Sequence, residues 1–105
     1  MITLEVHFLK TLSEKSKGLL GATKGYAVYF TTRFGIHTFG MKFSIDVLIL
    51  DSNNIVVKYV EKLAPNKLFF WNPRFDKIIE LPSGEIQKQK IQCGDTIRLE
   101  FILVD

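Results

Sequence analysis

The chain has 105 residues, 47% of them apolar, and carries a formal net charge of +3 from 14 basic and 11 acidic residues. This length suits one hydrophobic core and is too short for two ordinary domains, so we expect a single domain over residues 1–105. Because the charge is small and the two signs are interspersed, we expect no nucleic-acid partner. No window of about 18 apolar residues exists, so no membrane partner is expected either.

The cysteine content and the first residues indicate the compartment. Cys93 is the sole cysteine and cannot form an internal disulfide, which fits a reducing environment. The opening residues, MITLEVHFLK, have no basic stretch followed by a long apolar run, so we expect no signal peptide. Cytoplasmic residence is therefore expected.

The first half of the chain favours strands. LEVHF at 4–8 alternates apolar and polar residues, which is typical of a half-buried strand. The glycine-rich stretch 13–25 predicts a loop with room for one helical turn, and the aromatic and β-branched residues of 26–34 predict a second strand. In IDVLIL at 45–50 the odd- and the even-numbered positions are both apolar, apart from Asp46, which indicates a central strand covered on both faces.

The second half begins with a β-hairpin. Asn53 and Asn54 tolerate left-handed backbone angles and separate strand 45–50 from a further strand at 55–63. Two prolines in 64–75 argue against a regular ladder there, so we interpret it as an irregular connection with exposed or half-exposed aromatic residues.

The last third predicts two more strands and a helix. Residues 76–81 form a strand that Pro82 ends, and 83–90 form a short helix with Ser83 as its N-cap. Residues 93–105 predict a Gly-Asp turn and a final strand. The expected fold is all-β or β-dominated: a small barrel-like domain of six to seven mainly antiparallel strands with one or two short helices.

Familiar catalytic motifs are missing from the sequence. It contains no Gly-rich phosphate loop, no Cys-x-x-Cys, no His-Glu-x-x-His and no Gly-x-Ser-x-Gly. We therefore expect no cofactor, and no catalytic residue is assigned.

Three segments together carry a family resemblance: RFGIHTFGMKFSIDVLILD (33–51), IIELPSG (78–84) and CGDTIRLE (93–100). In this order they closely resemble domain-of-unknown-function family 192, an uncharacterised ancient conserved region, over residues 18–101. The family usually has proline at the position of Ser44 and alanine at the position of Ser83. The resemblance implies a mostly β fold without an established activity.

Asp46 is the first candidate site residue. A carboxylate within an apolar strand needs a cation or several N–H donors. The candidate partners are Arg33, Lys42, His37 and the backbone amides of the 39–44 turn. Asp46 then either caps that turn, or serves as a general base or as an orienter of His37.

Glu80 is the second charge within an apolar strand. If its strand packs near Asp46 and His37, these groups and Arg33 converge on one polar pocket, as in many ligand or active sites. The alternative is a buried ion pair between Arg33 and Glu80 or Asp46. The candidate ligand-binding residues are Arg33, His37, Thr38, Met41, Asp46 and Glu80.

Two further features suggest other sites. His37 and Met41 are ligand types that Cu(I) favours, although Cys93 would have to join them; the alternative is a hydrogen-bonded histidine and a methionine that fills the core. Within FFWNPRF, the candidate aromatic surface is Phe70, Trp71 and Arg74, on which a ring or a partner's side chain stacks. The alternative is that alternate aromatic residues plug one end of the barrel.

Three functions follow from these candidates. The favoured one is a binding module for a small polar ligand or a protein partner through segment 33–46, because no complete catalytic set is present. The second is a small enzyme in which His37 and Asp46 form an acid-base pair while Arg33 holds an anionic substrate. The third is the soft-metal site at His37 and Met41.

Overall fold

Eight strands and one short helix make up the part of the chain that the structure, a computed structural model, describes: residues 1–8, 27–33 and 35–102. The elements are β1 (Ile2–Phe8), β2 (Ala27–Thr31), β3 (Gly35–His37), β4 (Ile45–Leu50), β5 (Val56–Leu63), β6 (Leu68–Phe70), β7 (Lys77–Pro82), α1 (Glu85–Gln89) and β8 (Ile97–Phe101). The loop predicted at 13–25 lies outside the described residues. Across the described ranges, no helix is long and apolar enough to cross a membrane.

Six strands form one sheet in the order β5-β4-β7-β2-β1-β8, and β3 and β6 form a two-stranded ribbon. Strand β1 runs parallel to both of its neighbours, β2 and β8, whereas the other pairs are antiparallel. A bridge between Ile55 and Thr96 joins the two edges of the large sheet, so the sheet curls towards a barrel. The predicted β-dominated, mainly antiparallel class is confirmed.

The two faces of the large sheet are both covered. Alternate residues of β4 point to opposite sides, so Leu48 packs in the core beneath α1, while Val47 and Ile49 pack beneath the ribbon. All six residues of β4 are buried. The prediction of a central strand covered on both faces is confirmed.

Three local predictions need correction. The strand predicted at 26–34 ends at Thr31, and the connection predicted as irregular contains β6. Ser83 is not the N-cap of α1. That position is Gly84, which has a left-handed φ of 96° and, as a glycine, no side chain that could bond to the helix. The Asn53-Asn54 hairpin is confirmed, with Asn54 at a φ of 62°.

Candidate functional site

The predicted polar pocket is split by the large sheet. Asp46 pairs with Leu81 and lies on the side of the sheet that α1 covers. Glu80 pairs with Val28 and Val47 and therefore faces the opposite side, beneath the ribbon. Both carboxylates are buried, and the sheet backbone stands between them.

Asp46 is held by three backbone N–H groups. Its Oδ1 accepts a hydrogen bond from Lys62 N at 2.9 Å, and its Oδ2 accepts bonds from Gly84 N at 3.1 Å and Ile86 N at 2.9 Å. Lys62 has a φ of 54° at a β-bulge in β5, which turns its N–H towards the carboxylate. Asp46 therefore caps the start of α1 from a neighbouring strand, and the expected partners in the 39–44 turn are replaced by β5 and α1.

Arg33, Met41 and His37 lie in three different surroundings. The exposed guanidinium of Arg33 donates to Pro73 O at 3.1 Å and pairs with Asp76 at 3.5 Å. Met41 is buried in the core beneath the ribbon, as expected of a gap-filling methionine. His37 is exposed, and its Nδ1 accepts a hydrogen bond from Phe39 N at 3.3 Å.

The metal hypothesis gains no geometric support. His37 is exposed whereas Met41 is buried, and Cys93 lies on the exposed turn before β8. Among the residues that the structure describes, no group of three or more His, Cys, Asp or Glu side chains is placed to hold a metal ion.

The outer side of the β3 and β6 ribbon forms an exposed apolar surface. His37 pairs with Leu68 and Gly35 pairs with Phe70, so these four residues share the outward side, while Ile36 and Phe69 pack inward. The ring of Phe39 stacks on His37 at 5.0 Å and an interplanar angle of 22°. We call this surface the ribbon face; its members are Gly35, His37, Phe39, Leu68 and Phe70.

Side chains on the ribbon face are large and open to solvent. Phe39 is 49% exposed, Leu68 56% and Phe70 59%. Single exposed apolar residues are ordinary, but several side by side on one small sheet mark a contact surface. Of the ribbon face, the sequence predicted His37 and Phe70 as candidates and missed Phe39 and Leu68, whose proximity depends on the pairing of β3 with β6.

Thr38 fixes the loop next to the ribbon face. Its buried hydroxyl donates to Ala64 O at 2.6 Å and accepts from Lys67 N at 2.8 Å. Its backbone N–H bonds to Lys67 O at 2.9 Å, and its carbonyl accepts from Asn66 N at 2.9 Å and Met41 N at 3.2 Å. Thr38 thus joins the two chain segments that carry the ribbon face.

The aromatic run after β6 divides between core and surface. Trp71 is buried, and its Nε1 donates to Phe75 O at 2.8 Å, so Trp71 supports the core beneath the ribbon. Arg74 lies over the ring of Phe75 at 5.6 Å. Of the three candidates for an aromatic surface, Phe70 and Arg74 are exposed and Trp71 is not.

The surroundings of the ribbon face are positively charged. Segments 35–43 and 64–75 contain Lys42, Lys67 and Arg74 and no acidic residue. Lys58 joins them from β5, because its ammonium donates to Phe70 O at 3.2 Å and lies over the ring of Phe69 at 5.1 Å. The ribbon face therefore combines exposed rings with a basic rim.

Gly35 provides the space in which the ring of Phe70 lies. A Cβ at this position would come within 2.6 Å of Phe70 Cδ1 and 2.8 Å of Phe69 O. We expect Gly35→Ala to lower the free energy of unfolding by about 1–3 kcal/mol, since ring and backbone must both shift. Urea unfolding measures this change. In Gly35→Ala/Phe70→Ala the ring clash is gone, so the combined loss should be smaller than the sum of the single losses; additive losses would contradict the contact.

Comparison with known proteins agrees with this architecture and identifies the class of protein. The family model for DUF192, described as an uncharacterised ACR, matches residues 2–99, so the chain belongs to that family. The predicted resemblance is thereby confirmed. This family is a class of proteins defined by sequence and fold, and its description assigns it no activity.

Particular relatives give the same result. The UPF0127 protein PH1112 of Pyrococcus horikoshii is 36% identical over 100 residues, which cover 90% of this chain and 86% of that protein. A protein of unknown function from Novosphingobium aromaticivorans has a similar structure with a TM-score of 0.76 at 15% identity, over 87% of this chain and 71% of that one. A candidate transcription regulator from Sinorhizobium meliloti has a TM-score of 0.73 at 17% identity, over 87% and 78%. At these identities the two structures show the fold alone.

Proposed function

We propose that this domain is a binding module that docks a partner protein through the ribbon face. The observation that carries the proposal is the cluster of Phe39, Leu68 and Phe70, each about half exposed on a ribbon whose other side is packed on the core. Interface centres are enriched in aromatic residues held in this way. An open ribbon of this kind suits a protein surface better than a small polar ligand, which is normally enclosed in a pocket.

Charge indicates the kind of partner. Lys58 bonds to Phe70 O, and the two ribbon segments contain Lys42 and Lys67 and no acidic residue, so an acidic surface on the partner is complementary in charge. The modest net charge supports a protein partner over a nucleic acid or a membrane. The exposed, free thiol of Cys93 supports cytoplasmic residence.

The acid-base alternative has weaker support. Asp46 is fully buried with both oxygens engaged by backbone N–H groups, and it lies on the side of the sheet away from the ribbon that carries His37. A general base must reach the proton that it abstracts, and this carboxylate has no such access.

Site-specific photocrosslinking tests the docking surface. Benzoylphenylalanine in place of Phe70 should give one discrete protein adduct in extract from the organism of origin, and the same group in place of Tyr59 should not. Tyr59 is the matched control because it is an exposed aromatic residue on β5, outside the ribbon face. Equal adducts at both positions, no adduct at position 70, or an adduct of small-molecule mass would contradict the proposal.

Paired variants then measure the contribution of the rings. Phe39→Ser with Phe70→Ser should weaken binding of the captured protein at least about tenfold while changing the free energy of unfolding by less than about 1 kcal/mol, because exposed side chains contribute little to stability. Titration calorimetry and urea unfolding check the two quantities. Tyr59→Ser should leave the affinity unchanged.

A further inference from the structure

His37 brings a polar side chain into the otherwise apolar ribbon face. The ring of Phe39 stacks on it with centroids 5.0 Å apart, and Leu68 is its cross-strand partner on β6. Both neighbours are about half exposed, and His37 itself is exposed. The imidazole therefore has exposed apolar neighbours on two sides.

A backbone hydrogen bond determines where this imidazole carries its proton. The N–H group of Phe39 donates to Nδ1 of His37 at 3.3 Å. Because a backbone N–H group can only donate, Nδ1 is the unprotonated acceptor, and the proton of the neutral ring is on Nε2. Within the described ranges Nε2 has no hydrogen-bond partner. The ribbon face thus presents Nε2–H as an unused donor.

The turn that follows His37 is held rigidly. Met41 N bonds to Thr38 O at 3.2 Å, and Gly40 has a left-handed φ of 80°, which closes a tight turn. Asn66 clamps this turn from the other ribbon segment: its backbone N–H donates to Thr38 O at 2.9 Å, and its Oδ1 accepts from Gly40 N at 3.3 Å. Because these bonds already fix the turn, little conformational entropy is lost there when a partner binds.

Charge indicates which acceptor suits the Nε2–H group. The two ribbon segments, 35–43 and 64–75, contain no acidic residue, and the ammonium of Lys58 is held at Phe70 O at 3.2 Å. A negatively charged acceptor is therefore favoured over a neutral one. Once a partner covers Phe39 and Leu68, water is excluded from both sides of the imidazole, which strengthens the hydrogen bond.

We propose that His37 selects the partner of the ribbon face by donating from Nε2 to a side-chain carboxylate of that protein. The proposal rests on docking through the ribbon face and adds the residue that makes this docking specific. In the complex, the carboxylate is flanked by apolar side chains that cover Phe39 and Leu68. A protein with an amide at that place loses the charge-assisted bond and is discriminated against.

Two matched peptides test this role of His37. Both are acetylated and amidated: one reads glycine, leucine, glutamate, leucine, glycine, and the other has glutamine in place of glutamate. The glutamate peptide should bind at least about fivefold more tightly, as measured from shifts of the Leu68 and Phe70 amide signals.

Two variants of His37 then separate its acceptor from its donor. His37→Asn should lower the ratio of the two dissociation constants at least about threefold, because asparagine can accept from Phe39 N but is too short to donate from the position of Nε2. His37→Gln places an amide nitrogen about as far out as Nε2 and should retain more of the preference. Loss of the ring stack alone would weaken both peptides alike and leave the ratio unchanged.

The outcomes distinguish the role of His37 from the docking surface itself. Phe70→Ser should weaken both peptides; if it does so while His37→Asn leaves the ratio unchanged, only the role of His37 is overturned. If Phe70→Ser left both affinities unchanged, the peptides would bind elsewhere and the docking surface would fail as well. Absence of shifts at millimolar concentrations of both peptides would overturn the role of His37, and photocrosslinking would decide the docking surface.

Nitrogen NMR of the imidazole gives an independent check without any peptide. At about pH 8.5, above the range in which histidine side chains usually titrate, the spectrum should show His37 protonated on Nε2. His37→Asn identifies the signals, because only those of His7 remain. A ring protonated on Nδ1 would contradict the donor assignment and overturn the proposal.

Discussion

Replacing Asp46 by alanine is expected to lower the free energy of unfolding by about 3–5 kcal/mol, because three backbone N–H groups, one buried and two partly buried, lose their acceptor at once. One of these groups belongs to Gly84, the N-cap of α1, another to Ile86 in its first turn, and the third to the bulge of β5. In Asp46→Asn one oxygen remains while an N–H group faces a donor, so an intermediate loss is expected. Urea unfolding of the purified domain measures both changes.

Asp51 provides the matched comparison. Its Oδ1 also accepts two backbone bonds, from Asn53 N at 2.8 Å and Ile55 N at 3.0 Å, but in a half-buried turn. Asp51→Ala should cost only about 1–2 kcal/mol, since water can replace the lost acceptor. If Asp46→Ala lowered the free energy of unfolding by no more than Asp51→Ala does, the cap by Asp46 would contribute little to the stability of the fold.

Replacing Thr38 by valine is expected to lower the free energy of unfolding by about 2–4 kcal/mol. Valine matches the shape of threonine but leaves Lys67 N–H without its acceptor at 2.8 Å and Ala64 C=O without its donor at 2.6 Å. The loss should be concentrated at the ribbon, so hydrogen exchange should speed up at the amides of Asn66 and Lys67 more than in β4.

Thr38→Ser is the control for this change, because serine retains the hydroxyl and loses only a methyl group. It should keep slow exchange at Lys67 and most of the stability. If Thr38→Val left the exchange of these amides unchanged, the hydroxyl could not be what holds the two ribbon segments together. If Thr38→Ser lost as much stability as Thr38→Val, the methyl group that serine lacks would contribute as much as the hydroxyl that valine lacks, and the hydroxyl would not be the dominant contact.

The elements that the sequence predicted best are those with strong local patterns. β4 was expected at 45–50 and occurs at Ile45–Leu50, because a segment this short that is apolar on both parities is typical of a strand buried between two layers. The hairpin after it depends on Asn54, whose left-handed backbone favours asparagine. Neither feature requires knowledge of distant contacts.

The ribbon could not be predicted in this way. Strands β3 and β6 have three residues each, too few to show a period, and the partner of His37 is Leu68, far along the chain. Exposure of Phe39 and Leu68 follows only from that pairing. The concentration of aromatic residues there indicated a surface but did not identify which rings reach it.

The predicted pocket failed to form because of register. Parity within a strand is visible in the sequence, but the offset between two strands is not. Asp46 pairs with Leu81 and Glu80 pairs with Val47, and an offset different by one residue would have placed both carboxylates on one face. The unknown offset between strands also hid the N–H donors of Asp46. A structural role for this carboxylate was among the predictions, but the position of its donors on β5 and at the start of α1 was not.

The parallel pairing of β1 with β8 has a consequence for how the domain folds. Ile2 aligns with Ile97, so the two strands are separated by nearly the whole described chain. Loop closure over such a separation is entropically expensive, and proteins rich in distant contacts fold slowly. The hairpin of β4 and β5 can form early from local contacts, whereas the pairing of β1 with β8 can form only after the ends of the chain have come together. Until then both strands have unpaired edges, which makes this stage the one most exposed to aggregation.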